Sequence, residues 1–360
     1  MKNIGYFSNL DSLRFIAFLF VFISHLGEPF TFDSSHNFAF LNIIFQQGRN
    51  AVSFFFVLSG FLITYQLIKE KNKTSIIDIR SFYIKRICRI LPLYFLICIL
   101  GFFVIPTIFG DYPNESKLLH LFLGANFNQM DLYINGIKNS MVLAPLWSIA
   151  VEEQFYLFWP IILFLIKPKY YLFLFIGFLF SSYIFIYLNR FSYVTLMLHS
   201  FSVLPEFMIG ATLSYLVYYK SELIHFFARL SKWWIIGVYV ASFVFFYFSD
   251  SIHRYLFFPF FCAFIIFEQV FATNSVFKVS RIRSLDFLGK ISYGSYMYHS
   301  IVLLVIKYFF DVFGLFESHS LFNKTICIVV CMGLTIAISY LSFNTFEKYF
   351  LDLRKKLLKQ

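Results

Sequence analysis

Apolar runs of about 20 residues, broken by short polar or basic stretches, recur along the whole chain. Each is long enough to cross roughly 30 Å of hydrocarbon as a helix. Ten such runs occupy 10–29, 49–67, 90–109, 147–166, 170–188, 200–219, 233–249, 254–272, 289–309 and 324–345. The pattern predicts an all-α integral membrane protein with about ten transmembrane helices. A single domain over residues 1–360 is expected, with no appended soluble domain. The first run does not read as a cleaved leader, because Asp11 and Arg14 interrupt its start and no small-residue cleavage site follows His25. The longest stretch between spans, Gly110 to Leu146, holds a short apolar piece from Leu118 to Leu123, which is either re-entrant or lies on the surface.

Composition sharpens this class. Apolar residues make up 59% of the 360 and charged ones only 14%, with 55 Phe and a mean hydropathy of +0.73. A soluble enzyme or a disordered tail is excluded. The net charge of +11 invites a nucleic-acid reading, but its distribution answers otherwise. With both termini in the cytoplasm, 23 of the 30 Lys and Arg fall on the cytoplasmic side and 7 on the other. That is a strong positive-inside bias, and it accounts for the basic balance without nucleic acid. The five cysteines sit in or beside apolar runs without metal-ligand spacing and read as packing residues.

Ionisable groups inside a bilayer are costly, which makes them candidates for function. The first run carries Asp11, Arg14 and His25. Eleven residues separate the last two, about three turns plus ~20°, so they share a helix face with His25 roughly 16 Å further along. Asp11, one turn before Arg14, is placed to hold its guanidinium. A snorkelling Arg14 and an interfacial His25 fit the same spacing. Ser59-Gly60 in the second run permits close backbone approach, equally for helix packing or for a ligand. Arg86 and Arg89, three apart at the end of the most basic segment, suit a phosphate group, or serve as ordinary positive-inside charge near anionic lipid.

The fourth run opens with Trp147-Ser148-Ile149-Ala150-Val151-Glu152-Glu153-Gln154-Phe155-Tyr156. Ser148, Glu152 and Tyr156 form a polar stripe at four-residue spacing, and Ser292, Tyr296 and His299 form another in the ninth run. Glu206 follows Pro205 in the sixth. Glu268, near a cytoplasmic end of the eighth, reads as solvated.

Taken in order, these segments resemble the membrane acyltransferase 3 family, the O-antigen and exopolysaccharide acetylase type. Leu10-Asp11-Ser12-Leu13-Arg14 followed by His25 fits the family's R-x10-H, and Phe54 to Ser59-Gly60 its FFxxSG-type segment. Arg86-Ile87-Cys88-Arg89 fits RxxR. Trp147 to Tyr156 fits WSLxxExxFY, with Ile149 where Leu is usual. Glu206-Phe207 with Gly210, and Ser292-Tyr293 through His299, fit later segments. The resemblance covers nearly the whole chain. Some family members carry a C-terminal extracytoplasmic esterase-like domain; this chain ends soon after the tenth run, so the stand-alone form is expected, with any such partner domain a separate protein and a homo-oligomer the other partner expectation.

The resemblance implies transfer of an acetyl or other short acyl group from cytoplasmic acetyl-CoA to a hydroxyl of a cell-surface or lipid-linked glycan, in a bacterial inner membrane. It implies His25 and Glu152 as catalytic residues, and Arg14, Arg86, Arg89, Ser59 and Gly60 on the acyl-CoA side. Trp147, Ser148, Tyr156 and His299 are expected to line the acceptor site. His25 suits either proton abstraction from the acceptor hydroxyl or acceptance of the acyl group itself. No metal is implied, since no His/Cys/Asp/Glu cluster has ligand spacing, and no nucleic-acid fold accompanies the basic residues. The rival class is a multi-span transporter or flippase, which also buries charge at mid-membrane but often shows inverted repeats and broken helix pairs, and neither is visible in the sequence. A lipid, a peptide or a small-molecule acceptor is the rival within the family.

Overall fold

A computed structural model describes residues 7–26, 48–248, 251–313 and 321–359. The far end of the first run (27–29) and Lys2 lie outside the described residues, as do the side chains of Arg254 and Lys324. All regular structure among the described residues is helical. In chain order the helices are α1 (Ser8–Leu26), α2 (Gly48–Thr74), α3 (Ile79–Ile99), α4 (Ile105–Phe109), α5 (Lys117–Leu121), α6 (Ala125–Ile134), α7 (Leu146–Leu165), α8 (Tyr171–Leu188) and α9 (Tyr193–Leu198). There follow α10 (Ser200–Tyr219), α11 (Ser221–Ala228), α12 (Lys232–Phe248), α13 (Ser251–Phe271), α14 (Arg283–Lys290), α15 (Ser292–Val312), α16 (Leu321–Ser342) and α17 (Lys348–Leu357). The protein is an all-α, multi-pass membrane protein.

Seven helical stretches among the described residues are long and apolar enough to cross a membrane: Asn9–Leu26, Gly48–Thr74, Ile79–Phe109, Leu146–Leu165, Pro168–Leu188, Ser200–Tyr219 and Thr325–Leu357. They coincide with seven of the ten expected runs. The other three are helical but differ in kind. The seventh is a broken pair, α11 and α12, bent by 91°. The eighth is shorter, with Tyr255–Phe271 as its apolar part. The ninth, α15, begins with Ser292, Ser295, Tyr296, His299 and Ser300, all buried in protein, so its low hydropathy comes from polar groups that never meet lipid.

Local chemistry sets the helix ends. Asp78 caps α3 by accepting from the Ser81 backbone N–H at 2.9 Å, and His199 caps α10 through Nδ1, which accepts from Phe201 N–H at 3.1 Å. Interior prolines occur in α3, α7, α10 and α13, which a membrane helix tolerates when neighbours re-satisfy the backbone. A π-helical turn, Leu100–Val104, joins α3 to α4, and another, Phe343–Glu347, joins α16 to α17. The 118–123 piece is the short helix α5, and it closes through Leu123 at a φ of 58°.

The chain divides into two compact units. One comprises Met1–Ala17, Asn50–Ile77 and Glu152–Gly289; the other comprises Phe18–Arg49, Asp78–Val151 and Lys290–Gln360. In the first, α8 and α13 pack on α10, and α2 meets α10 along a seam of small residues. A Cβ on Gly60 would strike the backbone of Phe207, and one on Gly210 the backbone of Val57. In the second, α15 packs on α16 and α3, and α17 lies along α3.

Candidate active site

Polar side chains gather in each unit. In the first, Asp11 and Arg14 on α1 form an ion pair one turn apart. The backbone of Gly289 lies against Asp11, where any side chain would collide. Glu152 and Tyr156 project from the same face of α7, and Ser59 approaches from α2. Both the Ser59 and the Tyr156 hydroxyls donate to Glu152 Oε1, and the two hydroxyl oxygens are 3.0 Å apart. The result is a closed triangle of carboxylate, alcohol and phenol. Two charge-assisted bonds on one oxygen are what holds a carboxylate among apolar helices.

The rest of this unit follows the same rule. Ser53 donates to Glu206 Oε1 at 2.8 Å, and Trp159 Nε1 donates to Thr64 Oγ1 at 2.8 Å. Lys71 spends its ammonium on the carbonyls of Leu163, Phe164 and Ile166 at 2.6, 2.9 and 2.7 Å, capping the C-terminus of α7. Glu268 is not solvated as the sequence suggested. It is buried, and accepts from Tyr239 at 3.2 Å and from Gln269 Nε2 at 2.6 Å. The backbone of Gly60 packs closely against that of Phe207.

In the second unit, His25 on α1 meets His299 on α15. His25 Nδ1 and His299 Nε2 are 2.8 Å apart, with ring planes within 8° and centroids 5.0 Å apart. The centroid separation exceeds the nitrogen contact by about two ring radii, so the rings meet edge to edge as a hydrogen-bonded pair and not as a face stack. His299 is fully buried, and its Nδ1 lies 2.6 Å from the Tyr296 carbonyl. Phe18 presents an edge to it at 6.0 Å. The Tyr296 phenol bonds Ser148 Oγ at 2.6 Å, and both hydroxyls reach the Pro145 carbonyl, at 3.3 and 3.1 Å. The Arg49 guanidinium sits 5.8 Å from the Trp147 ring centre.

On α3, Arg86 is half-buried with its guanidinium 5.6 Å from the Phe82 ring, while Arg89 is exposed. Cys88 between them faces inward. α17 lies against this helix and carries Arg354, Lys355 and Lys356 in its last turns, which adds to the local positive charge.

Of the expected site residues, Ser59, Glu152 and Tyr156 come together in the first unit, and Arg14 pairs with Asp11. His25 with His299, Ser148 with Tyr296, and Trp147 with Arg49 come together in the second. The stripe on α7 is therefore divided: Ser148 bonds within one unit, Glu152 and Tyr156 within the other. Sequence spacing alone names no second-helix partner for His25. The ring that meets it is His299. The signal for that pairing was weak but present, since His299 is the one residue in the buried first half of α15 whose side chain ionises near neutral pH.

These features define a membrane protein whose spans bury an acid–base pair of imidazoles and a hydrogen-bonded carboxylate. The chain belongs to the acyltransferase 3 family, whose acyltransferase domain matches residues 7–343. It is 28% identical over 341 residues to a Staphylococcus aureus (strain COL) protein named "Putative O-acetyltransferase SACOL0978", an alignment covering 86% of this chain and 53% of the relative. It is 33% identical over 171 residues to Bacillus subtilis (strain 168) "Putative peptidoglycan O-acetyltransferase YrhL", covering 44% of this chain and 24% of the relative. With S. aureus (strain NCTC 8325 / PS 47) O-acetyltransferase OatA it shares 30% over 169 residues, covering 45% and 26%. The chain spans about half the length of the first of these. No solved structure matches it.

Proposed function

We propose that the protein is a membrane O-acyltransferase that moves an acetyl or other short acyl group from cytoplasmic acyl-CoA to a hydroxyl of a cell-surface or lipid-linked glycan. The observation that carries this reading is His25: a hydrogen-bonded imidazole within an apolar helix, in a chain of an acyltransferase family. A ring so held has one nitrogen committed to the protein and the other available to a reactant.

In this reading the acceptor oxygen bonds to the acyl carbon while the carbon–sulfur bond breaks. His25 takes the hydroxyl proton and passes it to the departing thiolate. Arg86 and Arg89 suit the phosphates of coenzyme A, being guanidinium groups one helical turn apart and reinforced by the basic end of α17. Arg14, fixed by Asp11, steers the thioester inward. Glu152, Ser59 and Tyr156 stabilise charge as it develops, and Trp147 and Ser148 line the acceptor side. The O-acetyltransferase names of the relatives, one of them specifying peptidoglycan, support a glycan acceptor, and the apolar helices support a place in the bacterial inner (cytoplasmic) membrane.

The test compares cell-surface polysaccharide by NMR from strains carrying wild-type protein, His25→Ala and no protein. Acyl signals present with wild type and lost in both others are expected. Unchanged signals in the His25→Ala strain would remove His25 from the chemistry, and unchanged signals in the deletion strain would remove the glycan.

A further inference from the structure

His299 has no nitrogen left for an acceptor molecule. Its Nδ1 faces the Tyr296 carbonyl at 2.6 Å, and a carbonyl can only accept, so Nδ1 carries the hydrogen. In the neutral ring Nε2 is then bare. That bare nitrogen lies 2.8 Å from His25 Nδ1, which must supply the hydrogen. With Nδ1 protonated, the neutral His25 ring has its lone pair on Nε2. The two contacts in series thus fix both tautomers, starting from a backbone atom that cannot titrate.

We propose that His299 is a positioning residue for the acyl-transfer reaction: it holds His25 as its Nδ1–H tautomer and aims Nε2 as the atom that takes a proton or an acyl group. Either chemical course uses that same nitrogen. Without a partner the imidazole favours Nε2–H in water, which would present a hydrogen where a lone pair is needed. The supporting contacts are also rigid. Tyr296, whose carbonyl anchors the series, is itself tied to Ser148 and Pro145 through its phenol, and Phe18 meets the His299 ring in a T-shaped contact. The arrangement follows the logic of an orienting group behind a catalytic imidazole, with a second imidazole and a main-chain carbonyl as orienters.

The reactive role of Nε2 rests on the acyltransferase reading; the tautomer does not. The test is nitrogen-15 NMR of the purified full chain, histidine-labelled in nanodiscs and mildly alkaline buffer, with His25 assigned by its loss in His25→Gln. The expected spectrum has His25 Nδ1 protonated and Nε2 bare, and His299→Phe converts it to the Nε2–H form. In parallel, His299→Phe is expected to lower kcat by about 10²-fold or more with the donor KM little changed, the scale of a misplaced general base. His299→Gln, whose Oε1 can accept where Nε2 did, should recover most of the rate. A wild-type His25 with Nε2 protonated overturns the proposal, as does His299→Phe turning over at the wild-type rate. The expected tautomer in a protein without acyltransferase activity would instead sink the functional reading, and with it the reactive role of Nε2, and leave only the tautomer assignment standing.

Discussion

The seam between α2 and α10 makes a quantitative claim about stability. A methyl group at Gly210 would run into the Val57 carbonyl and the Phe61 backbone nitrogen, whereas one at Gly177 on α8 meets nothing within 4 Å. Both substitutions to Ala carry the same intrinsic helix gain of about 0.8–1 kcal/mol. Overpacking costs about 1–3 kcal/mol, and the upper end applies at Gly210 because the obstructing atoms are main chain of a packed helix and cannot rotate aside. Gly177→Ala should therefore stabilise by up to ~1 kcal/mol and Gly210→Ala destabilise by about 2. The separation of about 3 kcal/mol is roughly a hundredfold in the folding equilibrium. SDS titration in mixed micelles, followed by tryptophan fluorescence, reads both midpoints on one scale. Midpoints moving in the same direction by similar amounts would refute the close approach of these helices.

Three further outcomes follow from other contacts. Lys71→Met strips three bonds from the end of α7 and should cost about 1–3 kcal/mol in the same titration; an unchanged midpoint would show the cap to be idle. Around His120, burial pushes the ring below its ordinary 6.5, so the folded state binds fewer protons than the unfolded one, and its stability contribution, full above 6.5, is lost as pH falls through that value. Glu115 nearby is raised from 4.5 by burial and pulls the opposite way as pH rises past 4.5. Hydrogen-exchange protection of peptides from 115–135 should therefore weaken from about pH 7 to pH 5, and His120→Gln should flatten that slope; an unaltered slope would assign it elsewhere. Finally, Arg86→Ala and Arg89→Ala should each raise the donor KM about 3–10-fold with kcat nearly unchanged, and a fall in kcat alone would contradict the phosphate role.

Much of the fold was legible because lipid imposes one solution on the backbone: a run of about 20 apolar residues becomes a helix. Ser148, Glu152 and Tyr156 were readable as a stripe because four-residue spacing puts them on one face. What periodicity cannot supply is which other helix a stripe meets. Glu152 finds Ser59 and Tyr156, Ser148 finds Tyr296, and His25 finds His299 across 274 residues. The sequence reads Glu268 as solvated because it lies near a helix end; of the groups that bond it, Gln269 is its chain neighbour and Tyr239 reaches it only through tertiary packing. The break between α11 and α12 was missed for a related reason. Arg229, Ser231 and Lys232 interrupt the apolar residues between the two helices, and α11 has only eight residues, so only the second part reads as a span.

The wiring of α2 carries a consequence for how the chain is born. Its hydroxyls at Ser53, Ser59 and Thr64 enter the bilayer early, and their partners Glu206, Glu152 and Trp159 are encoded 153, 93 and 95 residues downstream. At about 5–20 residues per second, the ribosome delivers those partners roughly 5–30 seconds later. Serine and threonine can wait, since each borrows a carbonyl from the preceding turn of its own helix. A carboxylate cannot borrow a carbonyl, and in this chain both carboxylates arrive after their serine donors, Glu152 having only Tyr156 on its own helix besides. Synthesis from the amino end thus spares either acid an unaccompanied stay in oil, a safeguard that a circularly rearranged gene starting at α7 would forfeit.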